Sequence, residues 1–389
     1  SEILDERITK KNLKAVLESV NIYNFSPAIG RDNTGNCSFN ICSSKRRPSP
    51  NPHQQQTPDR TVIDLDKAPE IIDFFDRDEE LSILSECIVS DRLPLISLVG
   101  LSGIGKTTLS LRLIHQIKTH FDCVIYRSLR FSPTLKTTLT NLLEILSPET
   151  KASEEIETLI NQTIKKLQAS RSFIVLDDAQ ELFKKKKFSG QYASGFEDYR
   201  QFFQLLARRN NNSCFLLVSR EKLKELERVE KENNLGRSLL LKSLGNAAKQ
   251  ILQKRGLRDE KYWQKLIDNY QGNPRWLEIA AATIQDLLGG KVREFLEYES
   301  LILPEALQAE LEEQLERLSS AEKAIVELMA REKGAIDLTQ IIAKLPLSGG
   351  EVLNAVQSLK RRLLVESIQQ DNSSLLVLNS VWKYYSFNG

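Results

Sequence analysis

Four residues between positions 100 and 107 have the types and the spacing of a phosphate-binding loop. Gly100, Gly105, Lys106 and Thr107 satisfy the pattern G-x-x-x-x-G-K-[ST]. Glycines let the backbone turn tightly, so its N–H groups point at phosphate oxygens, and the following helix adds its positive N-terminal end. The lysine reaches the β- and γ-phosphates, and the threonine hydroxyl binds Mg²⁺. This stretch predicts a bound nucleoside diphosphate or triphosphate with Mg²⁺, and it leaves open whether the nucleotide is turned over or only held.

Two carboxylates follow an apolar segment in "SFIVLDD", at Asp177 and Asp178. A buried strand that ends in carboxylates brings negative charge to the sheet edge where ligands of α/β folds bind. We expect Asp177 to hold Mg²⁺ through water and Asp178 to orient or deprotonate the attacking water. The alternative is that both aspartates only begin a loop.

An arginine follows a third apolar segment, "CFLLVSR", at Arg220. At the same sheet edge its guanidinium can reach the γ-phosphate and stabilise the charge that develops during phosphoryl transfer. A surface ion pair with a nearby glutamate is the alternative.

The elements that must position these residues alternate between apolar strands and amphipathic helices from about residue 64. Strands separated by helices predict an α/β fold, a doubly wound parallel sheet, over residues 64–243. Helical patterns then predict an all-α domain over 244–318, in which Pro274 occupies the first turn of a helix. Three further helices and two short apolar runs predict a winged-helix domain over 319–389.

The N-terminal segment differs in composition from the rest of the chain. Residues 1–23 have an amphipathic helical pattern, and residues 24–63 are rich in Asn, Ser, Pro, Gly and Gln, which predicts a disordered linker. The chain begins with Ser1 and not with methionine, so either an initiator was removed or the sequence is a piece of a longer protein; we favour the second.

The overall charge, the apolar runs and the cysteines indicate which partners and which compartment to expect. Lys and Arg number 54 against 52 Asp and Glu, so no global field draws the chain to nucleic acid or to an anionic membrane. The apolar runs fall short of the roughly 20 residues of a membrane helix. Five cysteines and three histidines without metal-ligand spacing are typical of reduced thiols, so we expect a cytoplasmic protein without a membrane partner.

Taken together, these motifs resemble the STAND class of P-loop ATPases with an NB-ARC-type domain, found in many bacterial multidomain signalling regulators. "IIDFFDRDEELSIL" is similar to the family's segment before the phosphate loop, with Asp76 where the family usually has glycine. "LVGLSGIGKTTLS", "FIVLDD", "VSR" and "QGNPRWLEIAA" are similar to its later motifs, in the family's order. The opening helix also resembles the end of a helix-turn-helix-like module that precedes such ATPases.

The resemblance implies a set of nucleotide contacts. It assigns them to Phe75, Arg77, Gly100, Gly103, Ile104, Gly105, Lys106, Thr107, Thr108, Arg220 and Pro274. Thr107 and Asp177 would hold the metal, and Lys106, Asp178 and Arg220 would act in catalysis. Many members of the family carry a Met-His-Asp triplet that senses ADP, and Leu378, Asn379 and Ser380 align with it here. An asparagine can donate to a phosphate but cannot take up a proton.

The resemblance also implies a function. ADP would lock a closed monomer, exchange for ATP would open it to form homo-oligomers, and slow ATP hydrolysis would reset this switch in signal transduction. Effectors or partner proteins would be attached at the N-terminus.

Two alternatives stay open. One is an AAA+-like ATPase that remodels or loads on DNA through the winged helix, where Lys360, Arg361 and Arg362 end the predicted recognition helix and four lysines stand at 184–187. The lysine run is also typical of a solvated loop. The other is a scaffold stabilised by nucleotide without turnover.

Overall fold

The computed structural model describes residues 61–208, 212–232, 235–298, 301–370 and 373–388. The predicted helix over residues 1–23 and most of the predicted linker lie outside these ranges. The end of that linker prediction is wrong, because residues Val62–Asp64 form a strand that pairs with the sheet. This strand is three residues long and partly exposed, so its sequence carries little periodic signal.

A six-stranded sheet forms the first part of the described chain. Its strands are β1 (Val62–Asp64), β2 (Leu95–Val99), β3 (Cys123–Ser128), β4 (Ser172–Asp177), β5 (Cys214–Ser219) and β6 (Gly236–Leu240). They are arranged in the order β1-β3-β4-β5-β2-β6, and all neighbouring strands run parallel. Strands β2, β4 and β5 are buried along their whole length, which explains why their sequences are mostly apolar.

The strand register sets the position of the functional residues. Val99 pairs with Ser219, and Ser128 pairs with Asp177. Because all strands are parallel, the residues that follow β2, β4 and β5 meet at one edge of the sheet.

Helices cover both faces of the sheet, as a doubly wound fold requires. They are α1 (Asp78–Ser85), α2 (Lys106–Ile117), α3 (Leu135–Leu146), α4 (Ile156–Ala169), α5 (Glu197–Arg208) and α6 (Lys224–Glu232). One apolar core contains residues of α1 and α2, and a second core contains residues of the other four helices.

A helical region follows the sheet. Its helices are α7 (Ala248–Lys254), α8 (Trp263–Asn269), α9 (Pro274–Leu288), α10 (Val292–Tyr298) and α11 (Glu305–Glu316). Helix α9 begins as predicted, with Pro274 in its first turn, and the Asn273 side chain accepts hydrogen bonds from the first N–H groups. It ends at Gly289, whose φ of 58° is favourable only for glycine and a few polar residues.

The predicted winged helix completes the fold. It consists of α12 (Ser320–Arg331), α13 (Leu338–Lys344), α14 (Gly349–Arg361), the antiparallel strands β7 (Val365–Gln370) and β8 (Ser373–Leu378), and α15 (Ser380–Asn388). Each of the first three helices begins with a capping box. One continuous apolar core runs from the helical region into this domain. No helix within the described ranges is both long and apolar enough to cross a bilayer.

Candidate functional site

A cavity of about 330 Å³ opens at the sheet edge where β2, β4 and β5 end. Of the residues predicted to form the site, Phe75, Arg77, Gly103, Ile104, Gly105, Lys106, Thr107, Thr108, Asp177, Asp178, Arg220 and Pro274 line it. Gly100 lies at the base of the phosphate loop, where its N–H donates to the Ser219 carbonyl at 3.3 Å. The structure thus brings together residues that are up to 199 positions apart in the sequence, from Phe75 to Pro274.

The two inner glycines of the loop adopt conformations that favour glycine. Gly103 has a φ of 74° and Gly105 a φ of 99°. A side chain at Gly103 is also excluded by space, because its Cβ would stand 2.3 Å from Cβ of Arg275. The loop is therefore shaped both by its own backbone and by the helical region that contacts it.

The Lys106 side chain is held by two carbonyl oxygens of the phosphate loop. Its Nζ donates to the Gly100 carbonyl at 3.0 Å and to the Leu101 carbonyl at 2.9 Å. Burial lowers the pKa of this amine to about 8, and Arg220 adds to the effect, whereas the charges of Asp177 and Asp178 oppose it. A bound phosphate would supply negative charge beside this amine and favour its protonated form.

Asp177 is buried among three donors. Thr107 Oγ1 donates to its Oδ2 at 2.6 Å, Tyr126 OH donates to the same oxygen at 2.9 Å, and the Asp178 N–H donates to Oδ1 at 2.7 Å. Burial raises the pKa of Asp177 most, and the neighbouring Asp178 charge adds to it, while these donors oppose the rise. Tyr126 was missed from the sequence, since nothing in its spacing marks it.

The pair Thr107 and Asp177 fits a magnesium site. Hydroxyl and carboxylate oxygens are the donors that Mg²⁺ prefers, with phosphate oxygens and water completing its shell. Among the residues described, no three His, Cys, Asp or Glu side chains gather as a separate metal site. Magnesium would here neutralise phosphate charge beside Asp177.

Asp178 projects from a left-handed backbone position at the sheet edge. Its φ is 59°, and its carboxylate accepts from Ser128 Oγ at 3.2 Å and from Gln180 Nε2 at 2.9 Å. The Gln180 side chain lines the same cavity and was also missed from the sequence. A lone glutamine in a loop has no signature of type or spacing.

Arg220 lies where it could contact a γ-phosphate, and it also forms the ion pair that was the alternative. It lines the cavity, and its Nη1 also lies 3.8 Å from a carboxylate oxygen of Glu313 on α11. The guanidinium therefore lies between the cavity and the helical region.

The segment before the loop contributes through Arg77. Its Nη2 donates to the Ile104 carbonyl at 3.2 Å and its Nη1 pairs with Glu80 at 2.8 Å, so it supports the loop from behind. Asp76 has a φ of 51°, a conformation that aspartate tolerates better than most residues, and its Oδ1 accepts from the Arg77 N–H at 2.9 Å. The backbone conformation at this position therefore does not require glycine. The nucleotide contacts assigned to Phe75 and Arg77 stay a prediction.

The first turn of α9 contacts the phosphate loop directly. Asn273 Nδ2 donates to the Ser102 carbonyl at 2.9 Å, and the Arg275 N–H donates to the Gly103 carbonyl at 3.2 Å. Pro274, between them, lines the cavity. The helical region thus forms one wall of the site.

Asn379 lines a second cavity, of about 750 Å³. Its Nδ2 donates to the Gln271 side chain, and its Oδ1 caps α15 by accepting from the Val381 N–H at 3.1 Å. In this arrangement the Asn379 side chain caps the first turn of α15. Its predicted role in sensing ADP stays untested.

The basic residues of the predicted recognition helix have partners. Lys360 Nζ donates to Ser367 Oγ at 2.8 Å, Arg361 Nε to Glu227 at 3.2 Å, and Arg362 Nε to Glu322 at 3.0 Å. The side chains of the lysine run at 184–187 are exposed, as a solvated loop predicts.

A family model described as an AAA domain matches residues 91–226. The chain contains an AAA-type P-loop ATPase domain. An uncharacterized WD repeat-containing protein of Nostoc sp. is 33% identical over 327 residues, which make up 78% of this chain and 25% of that relative. The chain therefore spans only a minor part of the relative's length.

One solved structure shares the fold of the ATPase domain and the regions after it. A Walker-type ATPase of Pyrococcus abyssi has a TM-score of 0.55 at 17% identity, over 81% of this chain and 96% of that chain. A STAND protein with a tetratricopeptide repeat sensor from Pyrococcus horikoshii has a TM-score of 0.39 at 17% identity, over 82% of this chain and 43% of that chain. The first similarity shows a shared fold and nothing about function, because the sequence identity is low. The TM-score of the second is too low to show a shared fold.

Proposed function

We propose that the chain is a STAND-type molecular switch in signal transduction, controlled by ATP and ADP. ADP holds a closed monomer, exchange for ATP opens it and leads to homo-oligomers, and slow hydrolysis restores the ADP state. The observation that carries this proposal is the set of contacts between the cavity and the helical region: α9 bonds to the phosphate loop, and Glu313 of α11 pairs with Arg220.

A nucleotide can shift a conformational equilibrium only if it binds the two states with different affinity. Arg220 supplies this difference in the proposed switch. With ADP its guanidinium is free to pair with Glu313, as it does here at 3.8 Å. A γ-phosphate competes with Glu313 for the same guanidinium, and the loss of this pair weakens the hold of α11.

The same residues support slow ATP hydrolysis. Lys106 and Arg220 place positive charge around the cavity, and Asp178 is the carboxylate that orients the attacking water. Thr107 and Asp177 would hold Mg²⁺.

An effector at the N-terminus is the proposed partner, and the WD repeats in the name of the Nostoc relative suggest a sensing array outside residues 1–389.

The alternative, an ATPase that loads on DNA, needs a free basic face on the winged helix. In the described arrangement Arg361 pairs with Glu227 of the ATPase domain, and Arg362 is buried. These contacts favour the switch over the DNA-loading function.

Identification of the nucleotide that copurifies with the protein tests the proposal. We expect about one ADP per chain with very slow turnover, and none in Lys106→Ala, which lacks the phosphate-binding amine. Lys165→Ala removes an exposed lysine of α4 and serves as the control, with ADP retained. An empty wild-type site combined with rapid, DNA-stimulated hydrolysis would overturn the switch.

A further inference from the structure

One buried amide holds both residues that would face a terminal phosphate. Gln180 is 1% exposed and lies in the 3₁₀ turn Ala179–Leu182 that follows β4. Its Nε2 donates to Asp178 Oδ1 at 2.9 Å, and its Oε1 accepts from the Arg220 N–H at 3.1 Å. The amide therefore connects the loop after β4 with the loop after β5.

The chemistry of these partners determines the orientation of the amide. A carboxylate only accepts, and a backbone N–H only donates. If the amide were flipped, its NH₂ group would meet the Arg220 N–H and its oxygen would meet the Asp178 carboxylate. Glutamate lacks the donor and leucine lacks both groups, so glutamine is suited to hold both partners at once.

The backbone of Gln180 is itself held by an arginine from the far end of the helical region. Arg317 Nη2 donates to the Gln180 carbonyl at 2.6 Å, and Arg317 Nη1 lies 3.2 Å from both carboxylate oxygens of Glu181. The same guanidinium lies 3.6 Å from Glu221, the neighbour of Arg220. Arg317 thus contacts the loops on both sides of the Gln180 amide.

Arg317 belongs to a larger group of charges that reaches the winged helix. We call Glu181, Glu221, Arg317, Glu322 and Arg362 the interdomain charge cluster. Arg362 of the winged helix lies 3.6 Å from Glu221 and 3.0 Å from Glu322, and it donates to the Lys187 carbonyl at 2.9 Å. Glu221 and Glu322 are 2% and 0% exposed, so each depends on its cationic partners for compensation.

We propose that Gln180 is a positioning residue for the nucleotide site and that Arg317 connects it to the interdomain charge cluster. Gln180 keeps Asp178 and the start of the Arg220 segment in the orientation that recognises a γ-phosphate. Arg317 supports this orientation through its contacts with the Gln180 carbonyl and the Glu181 carboxylate. The inference rests on the proposed function and adds the groups that connect γ-phosphate recognition with the interdomain charge cluster.

The test compares the affinities of the full chain for ADP and for a non-hydrolysable ATP analogue, both with Mg²⁺, by titration calorimetry. In Gln180→Leu we expect affinity for the ATP analogue to fall at least fivefold and affinity for ADP to change less than twofold. Single-turnover hydrolysis of ATP should fall at least tenfold. A purely structural role would lower thermal stability without changing the ratio of the two affinities.

Two further variants keep the test decisive. Gln162→Leu is the matched control, since Gln162 on α4 also both accepts and donates, to the backbone of residues 153 and 151, away from the cavity. It should leave both affinities unchanged. If Gln180→Leu does not fold, Gln180→Met keeps an unbranched side chain of similar length without the amide, and the same loss of ATP affinity is expected.

A double-mutant cycle tests the link through Arg317. Arg317→Lys should lower the ratio of the affinity for the ATP analogue to the affinity for ADP, as Gln180→Leu does. The double variant should have the same ratio as Gln180→Leu alone, because both substitutions act through one group. Additive effects would overturn the link. An unchanged ratio in Gln180→Leu would overturn the positioning role, whereas a wild-type chain that binds neither nucleotide would overturn the proposed function and this inference with it.

Discussion

Lys106 shows how one buried side chain prepares a site for phosphate. Its ammonium group donates to the Gly100 and Leu101 carbonyls, which compensate it only in part. Burial therefore lowers the pKa of the amine to about 8, against an ordinary value of 10.5. A phosphate would provide the missing negative charge, so binding favours the protonated lysine.

Nucleotide affinity should consequently fall as the pH rises through 8. The free site loses its proton around this pH, so at pH 9 only about a tenth of the sites carry the ammonium, and Kd for ADP should be about tenfold higher than at pH 7. Calorimetric titration with ADP at several pH values measures this. Lys106→Arg keeps its charge throughout the range, so its affinity should be nearly constant; equal slopes for both proteins would contradict the explanation.

At the scale of elements, the contact between the phosphate loop and α9 depends on Gly103. Its φ of 74° disfavours other residues, and Arg275 fills the space that a Cβ would need. Gly105 has a φ of 99° but no atom within 4 Å of its ideal Cβ position. A substitution at Gly105 would therefore meet backbone strain alone, whereas one at Gly103 would meet both backbone strain and a steric contact with α9.

We expect Gly103→Ala to destabilise the nucleotide-free protein more than Gly105→Ala. Both substitutions introduce backbone strain of about 1–3 kcal/mol, and only Gly103→Ala adds a steric cost of about 1–3 kcal/mol against α9. Denaturant unfolding followed by circular dichroism measures the difference. Equal losses would mean that α9 moves away without cost.

At the scale of the whole molecule, the interdomain charge cluster joins the ATPase domain to the regions after it. Glu322 illustrates its construction: it closes the capping box of α12 and also accepts from Arg362 at 3.0 Å and from Ser358 at 2.6 Å. Ser358 Oγ in turn accepts from the Ser189 N–H at 2.6 Å, in the ATPase domain. Removal of Glu322 leaves the buried Arg362 guanidinium with only the longer contact of 3.6 Å to Glu221 among the carboxylates of the cluster.

Glu322→Ala should therefore lower the free energy of unfolding by about 3–5 kcal/mol, the cost typical of a broken buried ion pair. Glu351→Ala is the matched control, because Glu351 closes the capping box of α14 at an exposed position. It removes the same type of cap without an ion pair, so its effect should be clearly smaller. Thermal and denaturant unfolding compare the two, and similar losses would show that capping alone accounts for the effect.

Local sequence was sufficient to predict most of the elements and most of the residues that line the first cavity. Buried parallel strands are mostly apolar, and the residues that follow them, such as Lys106, Asp177 and Arg220, must meet at one edge of the sheet because the strands run in one direction. Pro274 at the start of α9 follows from the same kind of local rule. The short strand β1 was missed because three residues show no period.

The sequence by itself determined which chemistry the chain can perform, since the spacing of loop glycines, lysine and threonine is a local property of the backbone. Only the tertiary structure decided which groups hold that chemistry in place. Gln180 and Arg317 are 137 positions apart, and Arg220 and Glu313 are also far apart in the chain. Such residues have no distinguishing pattern, because their roles arise only when burial removes water and leaves each charge or amide dependent on the partner that packing provides.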